Sequence, residues 1–197
     1  VMPFEKIMNA TFELFSRVMP EKALACAFNI EYLQTGGYDT SDPSRPFFMY
    51  YDWLSGGWGG RNGRDGLGVT ASPFGVGLMT QPIEGQDRLY PVRTEALEIS
   101  TDSAGPGQWR GGVGLEKIGT ILDVEQCVLS YLCDRERAVV WGIKGGLPAK
   151  PHGLWLKRKG EKEEEFLGAV FSDLPVSPGT RFRRGTSGGG GYGDPLK

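Results

Sequence analysis

Histidine is almost absent from this sequence of 197 residues, which contains only His152. A histidine-based metal site needs several ligands that converge in the fold, so this sequence cannot supply a histidine cluster. His152 follows Pro-Ala-Lys-Pro and precedes a glycine, a run of turn formers, so we predict a solvent-exposed loop histidine rather than a metal ligand. A Walker-type G-x-x-x-x-G-K-[ST] loop does not occur, so the sequence offers no such phosphate-binding motif.

Cysteine, long apolar runs and an excess of one charge are also scarce. Three cysteines without a regular framework argue against a secreted disulfide scaffold, and we predict buried, inert thiols. No run approaches the roughly 20 apolar residues of a membrane span, and no signal peptide is recognisable, so we expect a cytoplasmic protein. A net charge of −2 and a pI near 5.6 favour neither a nucleic-acid nor a membrane partner. Because the chain begins Val1-Met2, we expect a processed or excised part of a longer one.

Glycine and proline, by contrast, are abundant, with 31 and 13 residues. They cluster at turns, which favours a turn-rich and largely β protein. Several short strand-like runs at a spacing of roughly 10 residues suggest a sandwich or barrel-like core. We therefore predict an α+β, mainly β fold with two parts: a helical segment and loop at 1–46, and a Gly-rich, many-stranded sandwich or barrel-like domain at 47–197.

Residues 3–19 carry the clearest helical pattern. Pro3 suits the first turn of a helix, and Pro20 ends it. The pattern places apolar side chains on one face, which predicts a helix that packs in the core or against another subunit. The residues that recur at spacings of three and four to form this face are Phe4, Ile7, Met8, Thr11, Phe15 and Val18.

Alternating or apolar runs predict strands in the rest of the chain. Residues 126–133 are typical of a central strand, and 153–158 with 165–171 predict a hairpin across a charged turn. We expect further strands at 46–52, 93–100, 111–123, 138–141 and near Phe182, loops at 35–46 and 67–80, and an extended or short helical segment at 22–33.

The stretch Ser55–Gly66 concentrates six glycines with Arg61, Arg64 and Asp65. An ordered glycine-rich segment loses much conformational entropy, so many hydrogen bonds or a bound partner must offset the loss. Each guanidinium offers donors in a fixed fork that suits carboxylate or phosphate. From the residues alone, a tight structural crossing and a catalytic loop explain this stretch about equally well.

The same stretch resembles the Gly-rich signature of the hydantoinase B/oxoprolinase family, G-G-x-G-A-R-x-G-x-D-G. Together the similar segments span about residues 47 to 195. The further segments that resemble family motifs, in the same order, are Gln81–Glu84, Leu89–Arg93, Thr101–Gly114, Cys133–Arg135 with Trp141–Gly146, and Gly188–Pro195.

The resemblance implies a subunit, or the C-terminal part of a subunit, of a multi-subunit ATP-dependent enzyme. In this family a hydantoinase-A-like partner binds ATP and phosphorylates a carbonyl oxygen of the substrate, and the B component completes the reaction. The family's metal motif lies in the N-terminal half of the B-type chain, and no residue here matches it. The resemblance therefore implies no cofactor on this chain alone. It implies ATP and a divalent metal on two partners: the hydantoinase-A-like chain, and the chain or segment that carries the N-terminal half.

One departure from the family leaves the reaction open. The segment Val69–Pro82 lacks the histidines and asparagines that follow the glycine stretch in hydantoinase-type members. Three hypotheses remain: part of a cyclic-amide hydrolase, the same part of an acetone/acetophenone-type ketone carboxylase, or a non-catalytic assembly subunit. We predict that the isolated chain is inactive.

Arginines and aspartates embedded in glycine are the remaining candidates for chemistry. Structural ion pairing is the alternative role for each of them, because a buried pair is costly to break. The catalytic candidates are Arg61, Arg64 and Asp65, and the substrate-channel or structural candidates are Asp102, Arg110, Asp134 and Arg135.

Overall fold

The computed structural model describes residues 2–73, 75 and 78–197, which form two α-helices and nine strands. The helices are α1 (Met2–Val18) and α2 (Ile83–Leu89), and a short 3-10 helix (Pro20–Lys22) follows the first. The strands are β1 (Glu31–Asp39), β2 (Phe47–Trp53), β3 (Val92–Ile99), β4 (Leu115–Ile121), β5 (Val124–Cys133), β6 (Leu154–Lys157), β7 (Glu165–Gly168), β8 (Val170–Val176) and β9 (Arg181–Gly185).

The strands form two antiparallel sheets that share one core. One sheet has the order β2-β1-β5-β8, and the other has the order β3-β4-β9-β6-β7. Leu33, Tyr50 and Leu129 from the first sheet belong to the same buried cluster as Leu154 and Phe182 from the second. The predicted α+β, mainly β fold with an N-terminal helix is confirmed, and its β part is a two-sheet sandwich.

Strand β1 extends into a segment for which the sequence predicts a loop. Residues 35–39 of the predicted loop at 35–46 pair with both β2 and β5. Gly37 packs so closely on β5 that an added Cβ would lie 2.8 Å from the Cα of Cys127. The loop prediction was wrong over these residues, because the glycines serve close strand packing and a bulge at Gly36–Tyr38 rather than a turn. The segment 1–46 thus contributes a central strand to the first sheet.

The other strand predictions overlap the observed strands, with two differences. Residues 138–141 are in the described chain and form no strand there; they belong to the loop after β5. The predicted strand 165–171 is two strands, because the chain changes sheets at Ala169: β7 pairs with β6, whereas β8 pairs with β5. Helix α2 was not predicted, since its seven residues are too few to show a helical period.

Helix α1 forms where it was predicted, but with the opposite burial. Glu5 and Asn9 face the body of the protein and are 0% and 1% exposed. Ile7, Leu14 and Val18 face outward and are 62%, 65% and 78% exposed. The alternative of a core helix was therefore wrong for the described chain, because polar side chains make the contact. Packing of the apolar side against another subunit stays a prediction.

The cysteines are buried, as predicted, and free. Burial raises the pKa of the Cys26 thiol to about 12, so the reactive thiolate is not populated near neutral pH. In the part of the chain that the structure describes, neither helix combines the length and the hydropathy of a membrane span.

Candidate functional site

Glycine-rich segments pack backbone against backbone in what we call the glycine crossing. Its hydrogen bonds run between segments that are distant in sequence: Gly60 N–H donates to Gly190 O at 2.8 Å, and Gly189 N–H donates to Gly112 O at 2.8 Å. Gly112 N–H in turn donates to Trp58 O at 2.8 Å. These bonds offset the entropy lost when glycine is ordered. The segments of the crossing are 56–66, 105–114, 142–146 and 188–191.

Close approach explains the glycines inside this crossing. A Cβ on Gly111 would lie 1.7 Å from Gly189 O, and one on Gly189 would lie 1.8 Å from Trp58 O, so no side chain fits at either position. The structural interpretation of the glycine stretch therefore accounts for its glycines, and only its charged side chains remain for chemistry.

The candidate catalytic residues Arg61, Arg64 and Asp65 lie on an exposed turn of the crossing. Arg61 and Arg64 exchange two backbone hydrogen bonds of 3.0 Å across this turn, in which Gly63 has a φ of 81°. Asp65 accepts a hydrogen bond of 3.0 Å from the backbone N–H of Arg110, whose guanidinium lies 3.7 Å from the carboxylate. Among the ion pairs of the described residues, none includes Arg61 or Arg64. Both guanidinium groups face solvent from a well-bonded backbone, and their catalytic role stays a prediction.

The four channel or structural candidates do not form one site. Arg110 is next to Asp65 in the crossing, and Asp102 occupies an exposed turn with a φ of 54°. Asp134 and Arg135 instead follow the end of β5, where the backbone N–H of Asp134 donates to Ile30 O at 3.0 Å. The structure thus places these two residues beside the start of β1 and under α1.

Polar side chains gather under α1 in a group that we call the α1 polar cluster. Asn9 anchors the helix, because its side-chain oxygen accepts a hydrogen bond of 3.0 Å from the backbone N–H of Ala27. The Asn9 and Asn29 amides are in direct contact. The helix is therefore held by specific polar contacts, which fix its rotation. The members of the cluster are Glu5, Asn9, Asn29, Asp134 and Arg135.

Arg135 and Asp134 complete this cluster from the β5 side. The Asn29 amide is oriented with its oxygen toward Arg135, whose guanidinium donates a hydrogen bond of 3.0 Å to that oxygen. The same guanidinium lies 4.7 Å from the centre of the Trp141 ring. Asp134 pairs with Lys6 of α1 at 3.1 Å. Asn29 and Arg135 have φ values of 72° and 76°, which side-chain-bearing residues seldom adopt. Such strain often marks functional positions, so the cluster is a candidate site.

Glu5 is the member of the α1 polar cluster whose carboxylate forms no ion pair with a described residue, and the side chain of Ser72 is the hydrogen-bonding group beside it. Burial raises its pKa from 4.5 to about 7; the Ser72 side chain opposes this shift, and the nearby charge of Asp134 adds to it. Burying an ionised carboxyl group without a balancing cation costs free energy, so such a group either becomes protonated or is stabilised by a bound cation.

A cavity of about 220 Å³ adjoins Glu5. It lies between α1, the start of β1 and the end of β2. Aromatic and aliphatic side chains make up most of its wall, and Glu5 and Ser72 are polar groups on it. The described residues that line it are Glu5, Phe28, Asn29, Ile30, Glu31, Tyr32, Tyr51, Trp53, Leu54, Ser72 and Leu78.

A buried ionic network lies behind this cavity, inside the sandwich. Arg184 is 0% exposed and donates to both carboxylate oxygens of Glu31 at 2.5 and 2.7 Å, and also to Asp52. Lys117 donates to Asp52 at 2.7 Å and to the side-chain oxygen of Gln86 at 2.7 Å. Two carboxylates thus balance two cations, and each charge is hydrogen-bonded as burial requires.

The network determines how its members titrate. Burial alone would raise the pKa of Asp52, but Arg184 and Lys117 outweigh that effect and hold it below its ordinary value. Burial lowers the pKa of Lys117, and Asp52 opposes this shift. Since Glu31 is already engaged by Arg184, Glu5 is the carboxyl group on the cavity wall that has no cationic partner among the described residues.

His152 is buried, so the prediction of an exposed loop histidine was wrong. It is 4% exposed, and its Nε2 lies 2.9 Å from the Ser100 hydroxyl. Burial lowers its pKa to about 4, and the positive charges of Lys150 and Arg183 add to this effect. The imidazole is therefore neutral at pH 7. The turn formers around it were misleading because they fold the ring inward against Gly185.

Residues 185–189 match the pattern G-x-S-x-G through Ser187. The hydroxyl of Ser187 is buried and has no hydrogen-bond partner among the described residues. The segment leads from β9 into the glycine crossing rather than into a helix, so the strand–turn–helix context of a nucleophile elbow is missing.

Potential metal ligands are dispersed over residues 2–73, 75 and 78–197. Within these ranges no group of three or more His, Cys, Asp or Glu side chains is arranged to hold a metal ion. The donor set of the described residues thus does not fit a protein-bound metal centre. The part of Val69–Pro82 formed by residues 74, 76 and 77 lies outside the described residues.

Comparison with known proteins assigns the family. The sequence profile of the hydantoinase B/oxoprolinase family matches residues 1–195. The chain therefore belongs to the hydantoinase B/oxoprolinase family, which confirms the resemblance in the glycine-rich motifs.

The chain is similar to components of larger enzymes. It is 23% identical over 192 residues to a Pseudomonas sp. (strain NS671) protein that is provisionally named as the B component of a D-/L-hydantoinase, covering 97% of this chain and 31% of that protein. It is 28% identical over 200 residues to the caprolactamase β-subunit of Pseudomonas jessenii, covering 99% and 34%. It spans about a third of the length of these relatives.

Two solved structures share the fold. The crystal structure of the ATP-dependent caprolactamase from Pseudomonas jessenii has a TM-score of 0.74 at 26% identity, covering 92% of this chain and 32% of that chain. A nucleotide-free acetone carboxylase has a TM-score of 0.75 at 19% identity, covering 92% and 28%. At this level of identity the second likeness concerns the fold alone.

Sequence reasoning missed the buried ionic network and most of the α1 polar cluster. Strand alternation could have found the network, because Asp52 follows the inward positions Phe48 and Tyr50 at a spacing of two. Arg184 is placed likewise after Phe182. A charged residue in an inward register is the signal. No comparable signal marks Glu5, which a helical period assigns to the solvent side.

Proposed function

We propose that this chain is part of the B-type component of a multi-subunit, ATP-dependent enzyme that hydrolyses a cyclic amide. One observation carries the choice of reaction. The caprolactamase β-subunit aligns with 99% of this chain at 28% identity, whereas the acetone carboxylase alpha subunit of Xanthobacter autotrophicus aligns with 76% at 23%. The match to a cyclic-amide enzyme therefore includes more of the chain, and both α1 and the glycine crossing lie within it.

In this proposal ATP and a divalent metal act on partner chains. The partners are a hydantoinase-A-like ATP-binding subunit and the chain or segment that carries the N-terminal half of the B-type component. Phosphorylation of the amide oxygen weakens the C–N bond toward hydrolysis. The present chain supplies a rigid wall to the shared site.

The charged side chains of that wall are Arg61 and Arg64. Both are exposed and free of ion pairs within the described residues, and the glycine crossing holds their backbone in place. A guanidinium fork suits the oxygens of a phosphorylated intermediate. Asp65 fixes the neighbouring segment through the backbone of Arg110.

Reconstitution with the two partner chains tests this role. We expect the Arg64→Ala variant to assemble normally but to lose most of the ATP-dependent hydrolysis of a lactam or hydantoin. Arg88→Ala, an exposed arginine of α2, is the matched control and retains turnover. Normal assembly with full turnover by Arg64→Ala would contradict the role and leave an assembly function.

Ketone carboxylation is the second candidate. The sequence is also similar to the acetone carboxylase alpha subunit, at 23% identity over 149 residues, and Val69–Pro82 lacks the histidines and asparagines of hydantoinase-type members. The two reactions differ in one requirement, because only carboxylation consumes bicarbonate. Bicarbonate-dependent consumption of a ketone by the reconstituted complex, without amide hydrolysis, would replace the first proposal with the second.

A further inference from the structure

We propose that the cavity beneath α1 is a binding site for the ammonium group of a small alkyl amine. The cavity combines a buried carboxyl group without a cationic partner among the described residues, a wall rich in aromatic rings, and a small volume. None of these features depends on the reaction proposed above.

The carboxyl group supplies the anion. Glu5 is 0% exposed and forms no ion pair with a described residue, and the Ser72 side chain is the hydrogen-bonding group beside it. The other carboxyl groups nearby are already engaged: Glu31 binds Arg184, and Asp134 binds Lys6. An alkylammonium ion carries three N–H donors, so it can satisfy the Glu5 carboxylate and reach the Ser72 hydroxyl on the same wall.

The aromatic rings favour a cation with an apolar body. Phe28, Tyr32, Tyr51 and Trp53 line the cavity, and the rings of Tyr32 and Tyr51 lie 5.6 Å apart. Ring faces attract cations, and aromatic cages recognise alkylated ammonium groups in this way. The carbon skeleton of the amine would contact the aliphatic part of the wall, including Leu54.

The volume limits the ligand to a small one. At about 220 Å³ the cavity is smaller than the roughly 300–1,000 Å³ of typical drug-sized pockets. It suits an amine with a single ring or a short chain, rather than a nucleotide.

Binding would be linked to protonation of Glu5. Burial raises the pKa of Glu5 to about 7, and the charged groups around it are Asp134 with its partner Lys6, Arg135, and Glu31 with its partner Arg184. A bound cation favours the ionised carboxylate, so binding below pH 7 releases a proton. The affinity for a permanently charged amine should rise as the pH rises from 5 to 7, by up to about tenfold per pH unit.

The test is a titration of the full chain with cyclohexylammonium, followed by NMR chemical shifts, with neutral cyclohexanol as the isosteric probe. We expect the ammonium ion to bind at pH 8 at least tenfold more tightly than the alcohol, and the Glu5→Gln variant to lose that preference. Glu13→Gln, which removes a half-exposed carboxylate of the same helix, should behave as the wild type. Nα-acetyl-lysine methylamide is the probe for a lysine side chain. We expect it to bind more weakly than cyclohexylammonium, because only the free amine fits wholly within the cavity.

Equal affinities for the ammonium ion and the alcohol would overturn the proposal, as would a preference that survives in Glu5→Gln. The pH series on the wild-type chain is a second test that does not depend on the variant. Affinity that does not change between pH 5 and 7 contradicts the role of Glu5.

Discussion

His152 allows a sharp test of the buried structure, because it is the only histidine of the chain. Its ring is enclosed beside Ser100, and burial lowers its pKa from 6.5 to about 4. The imidazole of His152 therefore binds a proton less readily in the folded state than in the unfolded state. The associated stability is complete above pH 6.5 and is lost as the pH falls toward 4.

The magnitude follows from the two pKa values. The full contribution of the His152 pKa shift to the free energy of unfolding is about 3 kcal/mol, and about 2 kcal/mol of it is lost between pH 7 and pH 5. In the His152→Gln variant this contribution is removed, while the other titrating groups stay the same. The difference between the two proteins isolates the histidine, since every other carboxyl and amine contributes equally to both.

Urea unfolding of both proteins at pH 7, 6 and 5 measures this difference. We expect the free energy of unfolding of the wild type to fall by about 2 kcal/mol more than that of His152→Gln over this range. NMR titration of the single imidazole gives the folded pKa directly. Parallel pH dependence of the two proteins, or an imidazole that titrates near 6.5, would refute the burial of this ring.

Three further predictions concern stability measured by denaturant unfolding. At pH 8 the Glu5→Gln variant should be more stable than the wild type by up to about 2 kcal/mol after solvent screening is allowed for. The reason is that the raised pKa of Glu5 makes its ionisation above pH 7 unfavourable to folding in the wild type; no gain in stability would contradict the burial of Glu5. Gly111→Ala should destabilise the protein by about 3 kcal/mol or more, because the new Cβ collides with the facing backbone. Gly85→Ala, where the new Cβ meets only the Gln81 side chain at 3.9 Å, should change stability by about 1 kcal/mol at most; similar effects of the two variants would argue against the crossing. Arg184→Met should lower the free energy of unfolding by about 3 to 5 kcal/mol, because it leaves buried carboxylates unpaired. Arg181→Ala, which removes a half-exposed ion pair, should lower it by about 1 kcal/mol; equal losses would contradict the buried ionic network.

The sequence predicted the mainly β fold and the family, because both depend on local signals. Turn formers and alternating runs identify strands, and the motifs identify the family. The same local signals failed at Gly36–Gly37, where glycine allows close strand packing, and at His152, where prolines fold a ring inward. Both errors arise because the decisive contact comes from a distant part of the chain.

The candidate site was predicted only in part, for a related reason. Asp134 and Arg135 were named, but Glu5 and Asn29 were not, although the four residues meet under α1. A helical period alone does not show which side of a helix is buried. In α1 the apolar side is exposed, so the rule that assigns the apolar face to the core gave the wrong side.

We propose that this chain acts only as part of a larger assembly. The most direct measurement is ATP-dependent hydrolysis of a cyclic amide by the purified A-type chain and the N-terminal B-type part, with and without this chain. We predict turnover in the complete mixture, and none when this chain is omitted or present alone. Turnover by this chain alone, or undiminished turnover without it, would contradict the claim.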